Sequence, residues 1–290
     1  MFKVGIIGLG WSGSGALVDL LKKQTSSSAY PIELDFFRKP NGLMGRHTGL
    51  EFIKYTIVQF KINLIKFIFS TGKMLLNIRQ CKVHFQEMFL SLMDLIILVI
   101  SFLFFILMLG YKDGAKIYLS LFDLVYGKGS EVMIYDQPYF VDQLEFSGLD
   151  LLGVNANIIV IRNIYDQVQD LYLNREYLTS KTIREGFLLG FIGNSESFLS
   201  SNLLRIILMT TASRIKYLID FIEKNPKKFL VVEFEELLFN KKNTAIRINN
   251  YCKSQGLKKN LIIEGNIKNF FQNSKKNVGI KENLGDLDLD

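Results

Sequence analysis

Residues 8–15 read GLGWSGSG, between an apolar run, Val4 to Ile7, and a helix-like stretch, Ala16 to Lys23. Glycines permit a tight turn, and free backbone N–H groups at the start of a helix attract anions. The chemistry such a loop supports is binding of a phosphate-like group near Ser12 to Gly15. Two parses share that physics. As G-x-G-x-x-G the loop uses Gly8, Gly10 and Gly13, with Glu33 twenty residues past Gly13 as the carboxylate that would meet a ribose. As G-x-x-x-x-G-S-G it is a phosphate loop with Ser14 in place of the usual lysine. The bland alternative is a glycine turn that packs a helix on a sheet.

The second chemical feature is NIIVIRNIYDQVQDLY, residues 157–172. An apolar run ends in Arg162, and a helical pattern begins near Asp166. An arginine at the carboxyl end of a parallel strand lies where open α/β sheets bind ligands, and its planar fork suits a phosphate. It equally suits an ion pair with Asp166 or Asp170.

These residues need a scaffold of parallel strands and crossover helices. Phe2 to Ile7, Glu131 to Tyr135, Asn157 to Ile161 and Phe229 to Phe234 read as strands, and 32–37 is a further candidate. Helices are expected over 16–23, 166–177, most of 183–223, 235–239 and 244–255, the last closed by Gly256. Leu203, Ile206, Ile207, Thr210 and Tyr217 are assigned to inner faces. The expected fold is α/β, a central parallel sheet with flanking helices, as one domain over 1–290. Within it, 50–127 is an apolar helical insertion. In 52–70, apolar residues at Ile53, Ile57, Phe60, Leu64 and Phe67 have near-helical spacing, interrupted by Lys54, Lys61 and Lys66. The stretch 88–110 approaches the roughly 20 residues that cross a bilayer, with Asp94 inside it. A span, a core helix, a homodimer contact and a helix lying in the headgroup region all remain open for it.

Taken together, four segments resemble the sulfotransferase family, whose fold is similar to that of P-loop NTPases. They are SGSGAL at 12–17, IRNIYDQ at 161–167, VVEFEELLF at 231–239 and NSKKNVGIKENL at 273–284. The resemblance implies transfer of a sulfuryl group from 3′-phosphoadenosine 5′-phosphosulfate to a hydroxyl of a glycan or lipid-linked sugar, with no metal. It implies nucleotide contacts from Gly10, Trp11, Ser12, Gly13, Ser14, Gly15, Arg162, Asp170, Lys275 and Lys276. It also implies catalytic roles for Ser12, Ser14 and Asp136, the last as general base for the acceptor hydroxyl. Two positions depart from the family. Trp11 stands where a basic residue commonly precedes the S-G pair, and Asp170 stands where a serine is usual. A carboxylate beside a 3′-phosphate repels it. Lys275 and Lys276 would supply the charge that Trp11 does not.

Composition narrows the alternatives. Cys81 and Cys252 make no disulfide framework, and His47 and His84 are too few for a multi-histidine metal centre. A net charge of +7 favours anionic partners, but no nucleic-acid motif accompanies it. Val4 to Ile7 is too short for a secretory signal, so the expected location is cytoplasmic, at the inner face of the membrane if 88–110 associates with lipid. Two other readings stay open: an NAD(P)-binding oxidoreductase built on the glycine loop, and a non-catalytic nucleotide-binding protein of the same fold.

Overall fold

The structure, a computed structural model, describes residues 1–9, 12–24, 27–29, 49–76, 81–108, 111–127, 129–136, 153–173 and 203–263. The chain divides into two compact units. One comprises Met1–Leu34, Ser130–Glu145 and Gly153–Asp290; the other comprises Asp35–Gly129 and Phe146–Leu152.

The first unit is built on a five-stranded sheet, entirely parallel among the described residues. In chain order its elements are β1 (Phe2–Gly8), α1 (Ser14–Lys22), β2 (Ser27–Ala29), β3 (Val132–Asp136), β4 (Ala156–Ile161), α5 (Ile164–Leu173), α6 (Leu203–Glu223), β5 (Phe229–Glu233), α7 (Phe234–Phe239) and α8 (Lys241–Ser254). The strand order is β2-β3-β1-β4-β5. Val4 pairs with Ile134 on one side and Ala156 on the other, and Ile159 pairs with Val231. The expected α/β class is the one observed. The apolar runs read as strands are strands of a sheet buried on both faces, so each residue of VMIYD is buried. One face, carrying Val4, Ile6, Ile134, Ile158 and Val232, packs with α1, α7 and α8 through Leu17, Leu21, Leu238 and Ile248.

The second unit contains α2 (Gly49–Leu76), α3 (Cys81–Met108) and α4 (Tyr111–Tyr126). The four-residue connection between the first two makes them an antiparallel hairpin. Asp94, the carboxylate inside the apolar stretch, accepts a 2.7 Å hydrogen bond from the Tyr126 hydroxyl. Among the described residues no helix is long and apolar enough to cross a membrane.

Several expectations are corrected. The helix expected from Ala16 starts at Ser14, and Gly13 is its left-handed cap at φ 87°. Tyr217, assigned to an inner face, is 44% exposed, whereas among the described side chains of α6 Ile207, Thr211 and Leu218 are buried; those of Leu203, Ile206 and Thr210 lie outside the described residues. The candidate strand at 32–37 lies outside the described residues, as do 174–202 and the 264–290 tail. The short β2 at 27–29 has no counterpart among the expected strands.

The end of the first unit is fastened by paired side chain–backbone bonds. Asn249 donates to the Ile262 carbonyl at 2.9 Å and accepts from the Ile262 N–H at 2.8 Å. Gln24 accepts the next N–H, that of Ile263, at 3.1 Å. Helix α8 ends in a Schellman turn: Leu257 N–H reaches the Cys252 carbonyl and Gly256 sits at φ 102°. The Tyr251 hydroxyl donates to the Lys228 carbonyl at 2.8 Å and accepts from Asn157 N–H at 3.2 Å, tying α8 to the starts of β4 and β5. Burial pushes the Tyr251 phenol and the Cys252 thiol each up to about 12. Asn249→Ala should therefore cost about 2–3 kcal/mol in urea unfolding, from two lost bonds and two backbone groups left buried. In a Cys81→Ser background, Cys252 should resist a disulfide reagent at pH 8 until the protein unfolds, because neither access nor thiolate is available.

Candidate functional site

In an open parallel sheet, ligands bind beyond the carboxyl ends of strands, where successive connections leave in opposite directions. Here the chain leaves β1 toward β2, past β3, and leaves β4 toward β5 on the other side. The switch falls between β1 and β4. Their ends carry the two features singled out in the sequence, the glycine loop and Arg162. Gly8 pairs with Val160, so Arg162 follows two residues beyond that level on the adjacent strand.

The loop has a defined shape at its described ends. Ser12 N–H donates to the Leu9 carbonyl at 2.9 Å, and Ala16 N–H donates to the Gly13 carbonyl as α1 begins. Gly10 and Trp11, between them, lie outside the described residues. The Ser12 and Ser14 side chains fold back over Gly8, so a Cβ there would overlap both hydroxyls. Both serines are nearly inaccessible, at 1% and 3% exposure. Ser12 Oγ has no hydrogen-bond partner among the described residues. A buried hydroxyl left in that state costs roughly 1–3 kcal/mol and is a ready donor for an incoming oxygen. Gly15 lies in the first turn of α1, where N–H groups point out of the helix.

Arg162 is 7% exposed and held on two sides. Its Nη1 donates to Asp170 Oδ2 at 2.5 Å, and its guanidinium lies 5.6 Å from the centre of the Phe234 ring. The same ring fills the space beside Gly13, where a Cβ would collide with it. Phe234, the first residue of α7, thus bridges the glycine loop and the arginine. Asn163 caps α5, accepting from Tyr165 N–H at 3.0 Å, and its own N–H donates to Glu235 at 3.1 Å. The ends of β4 and β5 are fixed together by this contact.

Asp136 ends β3, on the other flank of β1, opposite Ile6 and largely buried. The structure therefore brings Ser12, Gly13, Ser14, Gly15, Arg162, Asp170 and Asp136 to one end of one sheet. Lys275 and Lys276 lie outside the described residues. Among the described residues no group of His, Cys, Asp or Glu side chains could hold a metal ion. Sequence reasoning missed Phe234: it ends an apolar run, and nothing in its spacing links it to Gly13, 221 positions earlier.

The sheet order also separates the two parses of the loop. The dinucleotide fold sets β2 directly beside β1, so that the acid at its end meets the ribose. Here β3 intervenes, placing β2 two strand spacings, about 10 Å, from β1. Glu33 itself is outside the described residues. The geometry favours the phosphate-loop parse.

No model of a known protein family matches the chain, and no curated protein matches it significantly. Among solved structures, it is similar to the crystal structure of a sulfotransferase from Alicyclobacillus acidocaldarius, with 16% sequence identity and a TM-score of 0.41 over 91% of this chain and 86% of that one.

Proposed function

We propose that this chain is a sulfotransferase-like transferase that takes 3′-phosphoadenosine 5′-phosphosulfate as donor and a hydroxyl of a glycan or lipid-linked sugar as acceptor. The observation that carries the reading is the bridge from Gly13 through Phe234 to Arg162, which ties an anion-binding loop to a buried guanidinium on the adjacent strand. A donor with phosphates at both ends of its ribose matches two such points on one edge of a sheet.

The residues fit the two ends of the donor unequally. At the loop, the Ser12 hydroxyl and the α1 N-terminus suit the 5′-phosphosulfate. At the strand end, Asp170 already occupies the guanidinium, so a 3′-phosphate must compete with it. In this reading an acceptor oxygen attacks sulfur, its proton passes to Asp136, and the bond from sulfur to the 5′-phosphate oxygen breaks. Adenosine 3′,5′-bisphosphate is released. The protein's work is positioning and charge stabilisation. Lys275 and Lys276 belong to the proposal as donors to the leaving phosphate.

The Arg162–Asp170 pair favours one second reading, a nucleotide-binding protein without turnover. Equilibrium binding of adenosine 3′,5′-bisphosphate tests the site. Arg162→Ala should lose measurable binding. Asp170→Asn should tighten it about tenfold while lowering folding stability, because the buried guanidinium loses its counterion. If both variants bind as the parent does, the nucleotide is not at this edge.

Turnover separates the two readings. Transfer of labelled sulfate to a panel of hydroxyl acceptors should fall at least about a hundredfold in Asp136→Asn, with bisphosphate affinity unchanged. Affinity without transfer in the parent protein would favour the binding-only reading.

A further inference from the structure

Helix α2 has its polarity reversed. On α2 the buried described residues are Thr56, Asn63 and Ser70, one every seven positions along a single face. On α3 the buried set includes Ser91 and Ser101 beside Leu95 and Leu98. The Ser101 hydroxyl is satisfied inside its own helix, donating to the Ile97 carbonyl at 2.6 Å. On α2 the inward residues are therefore small and polar, whereas α3 also buries Ile97 with Leu95 and Leu98.

The outward faces are apolar. On α3 the exposed described residues are Phe85, Phe89, Leu92, Ile96, Val99 and Leu103. At 1.5 Å per residue this stripe runs for about 27 Å. On α2 they are Ile57, Phe60, Leu64, Ile65, Ile68 and Phe69, together with Lys61 and Lys66. At 100° per residue the apolar ones spread over about 180° of the helix. A single packed helix covers a stripe nearer 100° wide, so the α2 face is broader than one partner helix fills. On α2, small polar residues inside and large apolar ones outside suit a helix whose outer face meets hydrocarbon. The only charges among the exposed described side chains of α2 and α3 are the two lysines. Long basic side chains can keep their stems in an apolar layer and place the ammonium among anionic headgroups.

We infer that the α2–α3 hairpin docks on an anionic phospholipid leaflet through this outward face, lying in the layer without crossing it. The test is flotation of the purified full chain with vesicles of phosphatidylcholine alone or mixed with phosphatidylserine. Binding should require phosphatidylserine and weaken with salt. It should fall at least about tenfold in Phe89→Asp/Ile96→Asp and in Lys61→Glu/Lys66→Glu. Circular dichroism and bisphosphate binding should match the parent in both variants, so that a failure here is distinguishable from a failure of the nucleotide site. Absence of flotation, or flotation that both variants leave intact, overturns the proposal. So does light scattering that finds a lipid-free dimer dissociated by Phe89→Asp/Ile96→Asp, which would assign the face to a second copy. Protease protection that separates the two chain ends across the bilayer would also overturn it, in favour of a span.

Discussion

One aromatic ring governs the geometry of the sheet's carboxyl edge. Phe234 occupies the volume that a side chain at residue 13 would need, and its face lies under the Arg162 guanidinium. A glycine at position 13 is thus required twice, for its left-handed φ and for the ring beside it. The apolar ring also removes water from one side of the guanidinium. That strengthens whichever anion the arginine meets, since fixed charges interact more strongly as the surroundings become less polar. In the structure that anion is Asp170. The same environment that would strengthen a phosphate contact at Arg162 makes its ion pair with Asp170 hard to displace. Under the proposed function, affinity at this edge would be a contest between the Asp170 carboxylate and a phosphate.

The contest has a structural origin. Asp170 lies on α5, two helical turns after the end of β4, so it faces back toward Arg162 through ordinary helical geometry. Asn163 and Glu235 lock the beginning of that helix, which leaves little freedom for Asp170 to swing away as a rigid unit. A ligand that used Arg162 would have to separate the pair by changing side-chain rotamers. Serine at this position would leave the guanidinium open and offer a hydroxyl; aspartate closes it with a charge.

Much of this is legible in the sequence because buried parallel strands announce themselves as apolar runs. EVMIY, NIIVI and FLVVEF need no periodicity argument, and the glycine loop and Arg162 are recognisable by their places at the carboxyl ends of such runs. The pairing of Arg162 with Asp170 is among the alternatives because both residues are visible eight positions apart. The rest is hidden for physical causes. Ser27, Ser28 and Ala29 form an edge strand held by backbone bonds to β3, which leave no mark in side-chain polarity. The role of Phe234 depends on a contact between residues far apart in the chain, set by the sheet order and by no local pattern.

The hairpin of the second unit marks the limit of periodicity more sharply. Ile57, Phe60 and Leu64 have the spacing of an amphipathic helix, and that spacing is correct. In water the apolar stripe would be assigned to the interior. In the structure those three residues point outward and Thr56, Asn63 and Ser70 point in. Hydrophobic patterning identifies two faces of a helix; which face is inside depends on the solvent, and the pattern itself carries no label for that. On α2 the inward residues are small and polar, while α3 and α4 bury Leu95, Ile97, Leu98, Leu119 and Phe122, so the reversal belongs to one helix of the unit.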